Sequence, residues 1–589
     1  MCNYWITKRE EVCSYWLQAF LTVDQYKGHS SNMYKFKIEK IHFNIEMGKM
    51  EFVPKSVNII VGSNNAGKSR ILKELRDFFS GDHNDLKIID KVEYSFPKTF
   101  SDFNEEFELD TKVANDKYGN YFLKAYNNKA AQPFELNESL ESFYTRPLHS
   151  FSGNLNKYIS DVIDQHREVE FLEWCGALLF QYVGTEERLM ISKMQNNYGL
   201  DRSSTNYLSS IKHRPELLDS LRTYVKKVFH RDILLDTITL GDRLVFRVGE
   251  NFDYLESLSS VSEEVATNLY KEPMLDDQGD GLKSFVATFL SLNVNHKGLL
   301  LLDEPEAFLH PPLARQIGEM IGDCLDEDKT VFVATHSVEV LKGILSKNTD
   351  VNVLRITQPQ MGVNQIKLLD QTILQSILIN PLLRVSRVLE GIFCDKVIIT
   401  EAEADELVYQ ELIEKVFPGS GLYFAHGQNK QTLSVIAELY KKLDIAYGMI
   451  VDFDILRNSN EFYKLLSVLS IEENERQQLK SYAEKLKQIA DEDVEKQTID
   501  DIYHKQGIRY FANIHDTIKK TLRKLSDHHL HILETGELET LLEEYGLPYN
   551  SNKKQWIVEA IKKLDELEAS DIPKDSVLYQ FLSGICKIP

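Results

Sequence analysis

A glycine-rich segment in the first part of the chain has the residue types needed to hold a nucleotide phosphate. It reads GSNNAGKS and consists of Gly62, Ser63, Asn64, Asn65, Ala66, Gly67, Lys68 and Ser69. The apolar run 57–61 before it predicts a buried strand, and apolar residues at helical spacing follow it. In such a strand–loop–helix setting the backbone N–H groups surround the β-phosphate, Lys68 reaches the β- and γ-phosphates, and the Ser69 hydroxyl binds Mg²⁺. We therefore predict a P-loop.

Two later apolar runs, each predicted to be a strand, end in polar residues suited to hydrolysis of a nucleotide. Asp303 and Glu304 follow the run 298–302, and the sequence Thr335-His336-Ser337 follows the run 331–334. Asp303 is placed to hold the Mg²⁺, and Glu304 is placed to orient or deprotonate the attacking water. The plainer interpretation is that the two carboxylates cap the following helix. The P-loop upstream favours the interpretation as a hydrolytic site.

The last third of the chain contains three groups of carboxylates, each after an apolar run. Glu401 follows the run 396–400 and Asp405 lies one helical turn further on, so both side chains are predicted to face the same point. Asp452 and Asp454 are two residues apart at the end of the run 446–451. The third group comprises Glu534, Glu537 and Glu539. Carboxylate oxygens are the ligands of hard divalent ions such as Mg²⁺, so these groups predict a metal site.

The hydrophobic pattern divides the chain into two α/β units, over 33–390 and 391–589. Strand-like segments begin at 34–61 and resume at 233–239 and 244–248, whereas 153–232 has helical spacing and predicts a helical insertion. Asn, Pro and Gln clusters and a short strand pair over about 345–390 indicate the tail of the first unit and a connector. The second unit is predicted to contain a charged helical insertion over about 461–526, and residues 1–32 form an N-terminal extension without an assigned role.

The composition predicts a globular cytoplasmic protein. The 589 residues are 43% hydrophobic and 27% charged, and the six cysteines include no CxxC pair, which argues against disulfides and thiolate metal sites. We see no apolar run of about 20 residues and no signal peptide. The net charge of −22 argues against passive coating of nucleic acid, but it does not exclude DNA as a substrate.

The motifs GSNNAGKS, LLLLDEPEAFLHP and ATHS together resemble the ABC-type ATPases, particularly their SMC and RecF-like branch. The resemblance implies a head that binds ATP with Mg²⁺. In that family a glycine motif at a helix N-terminus comes from the opposite protomer and closes on the γ-phosphate, and the sequence QGDGLK, with Gly279 and Gly281, takes the corresponding place. The resemblance also implies that His336 contacts the γ-phosphate and that the protein is at least a dimer.

The order of carboxylates in the second unit resembles the Toprim fold of topoisomerases, primases and some nucleases. An ABC-type head with an insertion and a C-terminal Toprim domain is similar to the OLD (overcoming lysogenisation defect) nuclease family, over about residues 33–589. The Gabija nuclease subunit and the OLD-type effectors encoded beside retrons belong to the same group. The expected fold is therefore α/β, with an SMC/RecF-like P-loop ATPase head followed by a Toprim domain. The implied activity is an ATP-regulated DNA endonuclease or nickase that uses Mg²⁺ or Mn²⁺, often in defence against phage.

The OLD resemblance also implies roles for particular residues and partners. It matches the metal ligands to Glu401, Asp405, Asp452, Asp454 and Glu539, with Glu537 as a possible further ligand. It places a phosphate-steadying lysine near the C-terminus, where Lys553 and Lys554 both fit and a solvated helix end is an equal interpretation. Ala402 departs from the family, which usually has Gly there. The implied partners are DNA, further copies in a dimer or tetramer, and a helicase-like protein or a retron reverse transcriptase with its DNA product.

Other interpretations remain open from the sequence. An SMC/RecF-like clamp or repair ATPase would close on DNA with ATP and carry carboxylates without nuclease activity. A Toprim strand-passage enzyme or primase has no positive support. The basic stretches 519–524 and 226–227 are candidates for holding the DNA backbone, although most charge runs are only solvated faces. His528, His529 and His531 alternate as on a strand and are expected to be core or surface histidines and not zinc ligands.

Overall fold

The described residues cover most of both predicted units. The computed structural model describes residues 36–45, 48–63, 66–99, 102, 109–115, 121–127, 155–197, 206–212, 214–253, 262–294, 298–323, 329–360, 363–369, 387–492, 498–548 and 553–588. The N-terminal extension 1–32, and the P-loop residues Asn64 and Asn65, therefore lie outside the described residues.

The first unit is built on a six-stranded sheet in the order β14-β13-β3-β12-β11-β7. The five strands from β13 to β7 run parallel to one another, and β14 pairs with β13 in the antiparallel direction. Smaller antiparallel sheets, β2-β1-β4, β8-β10-β9 and β5-β6, accompany it. The strands are β1 Ile38–Ile45, β2 Gly48–Phe52, β3 Val57–Val61, β4 Ile89–Tyr94, β5 Leu109–Asn115, β6 Tyr121–Asn127, β7 Phe180–Val183, β8 Gln195–Asn196, β9 Asp232–Asp236, β10 Arg243–Gly249, β11 Leu299–Asp303, β12 Thr330–Ala334, β13 Asn352–Gln360 and β14 Val363–Leu368.

Helices cover both faces of this sheet. They are α1 Lys68–Phe79, α2 Leu155–Asp164, α3 Glu168–Leu179, α4 Thr185–Ile191, α5 Tyr207–Lys212, α6 Pro215–Phe229, α7 Glu263–Lys271, α8 Asp280–Asn293, α9 Pro311–Gly322 and α10 Val338–Lys347. The central strands β3 and β11 are buried along their whole length, as expected for parallel strands covered on both sides. Their carboxyl ends carry the P-loop and the residues Asp303 and Glu304, so parallel pairing brings these motifs to one edge of the sheet.

One segment predicted to be helical contributes a strand to this sheet. The predicted helical insertion over 153–232 contains helices, but β7 within it pairs in parallel with β11. Hydrophobic periodicity does not separate a four-residue buried strand from the flanking helices, which explains the error at β7. The strands β13 and β14 lie where a short strand pair was predicted within 345–390, and β13 pairs in parallel with β3.

The second unit contains a four-stranded parallel sheet in the order β16-β15-β17-β18. The strands are β15 Lys396–Thr400, β16 Leu422–His426, β17 Ala446–Val451 and β18 Leu530–Ile532. The helices are α11 Glu403–Val416, α12 Lys430–Lys442, α13 Ser459–Val468, α14 Glu473–Glu492, α15 His515–Asp527, α16 Leu538–Leu541, α17 Lys553–Glu566 and α18 Val577–Ile585. Helices α13 to α15 fall within the stretch predicted to be a helical insertion. Among the helices described, none has both the length and the apolar character needed to cross a bilayer.

The two units share a hydrophobic core. One cluster of buried side chains runs from the first sheet, for example Leu300 and Val353, to the second, for example Val397 and Leu433. A separate cluster fills the space between β1, β3 and α1, and a third covers the other face of the second sheet below α11, α17 and α18. Apolar area buried between the units stabilises one arrangement of the two sheets.

Candidate functional site

The described residues of the glycine-rich segment join a buried strand to a helix, as a P-loop does. Gly62 follows β3, and a Cβ atom there would collide with the carbonyl oxygen of Ile356 on β13. Gly67 has a φ of +104°, which a residue with a side chain adopts only at a cost, and α1 begins directly after it at Lys68. The Lys68 ammonium donates to the carbonyl oxygens of Gly62 at 3.0 Å and Ser63 at 2.9 Å. The lysine is thus folded over the loop at the N-terminus of α1, where anions bind.

Asp303, the last residue of β11, links the P-loop to the strand β7. Its Oδ1 accepts a hydrogen bond from the Ser69 hydroxyl at 2.8 Å, and its Oδ2 accepts one from the Tyr182 hydroxyl at 2.9 Å. Burial, followed by the charge of Asp303, raises the pKa of Tyr182 above its usual range, so this hydroxyl stays protonated. The predicted Mg²⁺ ligands Ser69 and Asp303 therefore lie in contact. Tyr182 was missed from the sequence because it lies on β7, within the segment predicted to be helical.

A second residue missed from the sequence, Arg188, holds the backbone of the carboxylate pair. Its side chain is fully buried. It donates from Nη1 to the Asp303 carbonyl at 2.8 Å and from Nη2 to the Glu304 carbonyl at 2.7 Å. Glu304 has a φ of +47°, an unusual conformation for a non-glycine residue, and its side chain is 41% exposed. The arginine thus fixes the turn that directs Glu304 away from the core.

His336 lies beside Glu304. Its Nδ1 is 3.6 Å from Glu304 Oε1 and 3.4 Å from Glu306 Oε1. Glu306 is buried, and its Oε1 accepts hydrogen bonds from the Thr335 hydroxyl at 2.7 Å and the His336 N–H at 2.9 Å. Glu306 lies in the DEPE motif, but the sequence indicated no role for it. It holds the β12 end, and therefore His336, against the carboxylates that follow β11.

The segment that resembles the glycine motif of the ABC-type ATPases lies at the exposed start of α8. Gly279 is the N-cap residue of α8, and an added Cβ atom on it would meet nothing within 4 Å. A Cβ on Gly281 would lie 3.0 Å from the Phe308 carbonyl oxygen, close to the segment that follows Asp303 and Glu304. The predicted role of Gly279 and Gly281 at the nucleotide of a second protomer stays a prediction.

In the second unit the structure brings Glu401, Asp452 and Asp454 together. One carboxylate oxygen of each lies within 4.8 Å of the others, a spacing at which one ion could bind all three. Glu401 follows β15, whereas Asp452 and Asp454 follow the neighbouring parallel strand β17. The backbone N–H of Asp452 donates to Glu401 Oε1 at 3.1 Å, which ties the two strand ends together. We refer to these three residues as the carboxylate cluster.

Burial makes the carboxylate cluster electrostatically costly. It raises the pKa of Glu401 to about 7, although the charge of Lys430 opposes this rise. Burial also raises the pKa of Asp452 well above its usual range, and the charges of Glu401 and Asp405 add to the effect. Asp454 Oδ1 is buried and has no hydrogen-bond partner among the described residues. Each of these costs falls when a cation binds the carboxylates.

A lysine that sequence analysis did not single out completes the cluster. Lys430, the first residue of α12, donates directly to Asp454 Oδ2, and its Nζ lies 3.6 Å from Glu401 Oε2. Burial alone would lower the pKa of Lys430, but the charges of Glu401 and Asp454 outweigh it and the pKa is raised. The available signal was its position just after the strand β16, because the carboxyl ends of parallel strands share one edge.

The other predicted metal ligands lie around the carboxylate cluster with different partners. Asp405 is the third residue of α11, and its carboxylate accepts the Ala402 N–H at 3.1 Å, so it closes the start of that helix. Glu537 lies 2.6 Å from His504 Nδ1, and its charge contributes to the raised pKa of Asp452. Glu539 is buried in α16.

Glu401 and Asp405 do not lie on one helix, because α11 begins only at Glu403. The two carboxylates still interact, since the charge of Asp405 adds to the effect of burial in raising the pKa of Glu401. Lys553 and Lys554 begin α17, and the prediction about their side chains lies outside the described residues.

Most of the predicted DNA-binding lysines make ion pairs within the chain. Lys519 lies 3.4 Å from Glu534, Lys524 lies 2.6 Å from Glu475, and Lys226 lies 3.0 Å from Asp253. These contacts agree with the plainer interpretation of solvated charged faces.

Among the three histidines, only His531 lies on β18. It is buried, its Nδ1 contacts the Ser526 hydroxyl at 3.0 Å, and burial lowers its pKa to about 3. It is a core histidine.

Two protein families match the chain, one in each unit. Residues 81–342 match the family described as "AAA domain, putative AbiEii toxin, Type IV TA system", and residues 392–454 match the "Overcoming lysogenization defect protein-like, TOPRIM domain". The second match contains all three residues of the carboxylate cluster, whereas the first match begins after the P-loop. The chain is thus an α/β protein that joins an AAA-type ATPase domain to a C-terminal Toprim domain.

This pair of domains matches an OLD family nuclease, which confirms the resemblance seen in the motifs.

A curated relative and several solved structures resemble parts of the chain. Protein ea59 of Escherichia phage lambda is 30% identical over 144 residues, which is 20% of this chain and 27% of that protein. The chain therefore spans about a quarter of the length of this relative. The Smc head bound to the C-winged helix domain of ScpA is 12% identical, with a TM-score of 0.32, over 56% of this chain and 97% of that chain. The SMC head domain from Thermotoga maritima is 14% identical, with a TM-score of 0.26, over 57% and 99%.

Proposed function

We propose that this protein is an ATP-regulated, divalent-metal-dependent DNA endonuclease that nicks its substrate. The observation that carries the proposal is the carboxylate cluster at the edge of the Toprim sheet, where Glu401, Asp452 and Asp454 place oxygens within 4.8 Å of one another. Burial raises the pKa of Glu401 and that of Asp452, so the arrangement is unfavourable without a cation. The arrangement therefore has a functional reason, and hard divalent ions suit an all-oxygen donor set.

The residues of the Toprim site fit a Mg²⁺ or Mn²⁺ ion. Glu401, Asp452 and Asp454 would hold it, and the buried, unpartnered Oδ1 of Asp454 offers a further donor atom. When bound, the ion supplies activation of water and stabilisation of charge on the phosphate and leaving oxygens. Asp405, Glu537 and Glu539 are proposed to complete the shell directly or through water. Lys553 or Lys554 is proposed to steady the charge on the phosphate.

The ATP site is proposed to work through the residues that converge at the other sheet edge. Lys68 would exchange its two carbonyl partners for phosphate oxygens, and Ser69 with Asp303 would hold Mg²⁺. Glu304 would orient or deprotonate the attacking water, and His336 would contact the γ-phosphate. Gly62, Gly67 and the intervening Asn64 and Asn65 would surround the phosphates. Gly279 and Gly281 of a second protomer would complete the site, which makes the active form at least a dimer.

One buried arginine supports communication between the two sites. Arg355 lies on β13 opposite Val61, the last residue before the P-loop. Its side chain donates to the carbonyl oxygens of Ile392 at 3.1 Å, Cys394 at 2.8 Å and Leu443 at 3.3 Å. Ile392 and Cys394 precede the Toprim strand β15, and Leu443 follows α12, the helix that begins at Lys430. A change in the P-loop strand would therefore act on backbone that also positions the metal site.

The biological role is proposed from the match to OLD family nucleases. We propose an anti-phage effector that cleaves DNA in the cytoplasm, assembled as a dimer or tetramer. A helicase-like protein or a retron reverse transcriptase with its DNA product would act as its partner. These proposals rest on family resemblance, which is an associational argument.

Cleavage of supercoiled plasmid tests the proposed activity. The assay contains Mg²⁺ or Mn²⁺, with and without ATP, and compares wild type with Glu401→Gln, Lys68→Ala and the control Asp516→Asn, which changes a 94% exposed carboxylate on α15. We expect nicking that is lost in Glu401→Gln, kept in Asp516→Asn, and altered only in its ATP response in Lys68→Ala. Metal-dependent nicking that survives Glu401→Gln would contradict the proposed site. ATP hydrolysis without cleavage under any condition, including added partner, would favour an ATP-driven clamp.

A further inference from the structure

Lys430 lies where a divalent ion would lie. We propose that its ammonium occupies the ion position between Glu401 and Asp454 in the metal-free protein, and that it must leave before an ion binds. Lys430 is thereby a positioning residue that sets the metal concentration at which the Toprim site is loaded. This inference rests on the proposed metal-dependent nuclease function and concerns the regulation of the same site.

The first argument is geometric. Lys430 Nζ contacts Asp454 Oδ2 and lies 3.6 Å from Glu401 Oε2, and both residues belong to the group whose oxygens lie within 4.8 Å of one another. An ion held by the same oxygens at about 2.1 Å would come within contact distance of the ammonium. Two cations at that separation repel strongly in a partly buried site. The lysine and the ion therefore exclude each other from this position.

The second argument concerns charge. The carboxylate cluster is half-buried, and both Glu401 and Asp454 make an ion pair with Lys430. The ammonium offsets part of the cost of holding these carboxylates apart from water before an ion arrives. It thus keeps the cluster folded in a geometry close to the one that an ion needs. An incoming divalent ion must provide more stabilisation than the lysine does.

The third argument is that the backbone below Lys430 is held while its side chain can turn. Gln428 adopts a φ of +67°, and its Nε2 lies 2.9 Å from His426 Nε2. The Asn429 side chain caps α12 by accepting the Thr432 N–H at 3.0 Å. Lysine has a flexible four-carbon stem, so its ammonium can leave the carboxylates without moving the helix. From this position it can turn towards a phosphate bound at the metal.

Calorimetric titration of the full-length protein with Mn²⁺, without DNA or nucleotide, tests the proposal. It compares wild type with Lys430→Met, Lys430→Arg and the control Lys441→Met, a lysine on the same helix whose Nζ bonds to the Val468 carbonyl. Glu401→Gln identifies the heat that belongs to the Toprim site. We expect Lys430→Met to bind Mn²⁺ on the order of tenfold more tightly than wild type. Lys430→Arg, which keeps the charge, and Lys441→Met should stay within twofold of wild type.

The outcomes separate this proposal from the proposed function. If Glu401→Gln loses the Mn²⁺ heat but Lys430→Met binds as wild type does, or more weakly, the lysine does not hold the ion position and the inference is overturned. If wild type and Glu401→Gln give the same heat, no ion binds the cluster, and the proposed metal site fails together with the inference. Thermal unfolding of each variant identifies a loss of fold, and Lys430→Arg then serves as the charge-preserving comparison.

Discussion

The ATP site and the Toprim site each place a lysine at the carboxyl edge of a parallel sheet, but the two lysines have opposite partners. Lys68 donates to two backbone carbonyls, and burial lowers its pKa more than Asp303, Glu304 and Glu306 raise it. Lys430 contacts two carboxylates, whose charges raise its pKa in spite of burial. The first lysine is bound weakly enough to turn to a phosphate, whereas the second neutralises its own site.

This difference follows from what each site has to receive. A nucleotide brings negative charge, so the P-loop presents N–H groups, a lysine and a helix N-terminus with few competing anions. A metal ion brings positive charge, so the Toprim site presents buried carboxylates that need a temporary cation. The ATP site is therefore ready for its ligand, and the Toprim site must exchange one cation for another.

The largest effect is expected from removing charge at the Toprim site. Asp452→Asn should lower metal-dependent DNA cleavage by roughly 10³-fold, because one of the three carboxylates proposed to hold the ion is lost. ATP hydrolysis should change by less than twofold. Plasmid nicking rates and phosphate release measured on the same preparation check both values. An equal loss of DNA cleavage and ATP hydrolysis would show that the two sites do not act independently.

At the ATP site the matching change is Lys68→Met. It removes the ammonium that donates to Gly62 and Ser63, and ATP hydrolysis should fall by roughly 10²-fold. The Mn²⁺ affinity of the Toprim site should stay unchanged, since Lys68 has no contact with the carboxylate cluster. Phosphate release from ATP and Mn²⁺ titration provide the two measurements. The control is Lys73→Met on the same helix, which should hydrolyse ATP as wild type does.

The link between the two units is tested by Arg355→Met. The change leaves carbonyl oxygens of Ile392, Cys394 and Leu443 without their donor, and we expect the free energy of unfolding to fall by about 2 kcal/mol. Urea denaturation measures this, with Lys367→Met on β14 as a half-exposed control. If Arg355 also carries communication, the effect of ATP on cleavage should shrink in this variant. An unchanged ATP response would restrict the residue to a structural role.

An effect that appears only at low pH concerns a buried group outside both sites. His531 has a pKa of about 3 in the folded protein against 6.5 when exposed, because burial disfavours its charge. The unfolded state therefore takes up the proton first, and His531 costs stability as the pH falls below 6.5, by about 1.4 kcal/mol per pH unit. His531→Leu should lose stability less steeply between pH 6.5 and 4.5. Denaturation at several pH values checks this slope against His528→Leu, and equal slopes would contradict it.

The ATP-site motifs were predictable because each lies in one short stretch. The P-loop, Asp303 with Glu304, and His336 each follow an apolar run, and parallel pairing of β3, β11 and β12 then places them at one edge. Tyr182 and Arg188 were not predictable, since both lie in a segment whose spacing indicates helices and their contacts span more than 100 residues of chain. The neighbouring residues in the sequence give no sign of these distant hydrogen-bond partners.

At the Toprim site the strand ends that carry carboxylates could be predicted, because apolar runs and the acidic residues after them are local patterns. Glu401, Asp452 and Asp454 were identified in this way. Their close grouping, the closing of a helix by Asp405 and the position of Lys430 among them could not be predicted. Distances between side chains on different strands depend on strand order and on where helices begin, and contacts between distant parts of the chain set both.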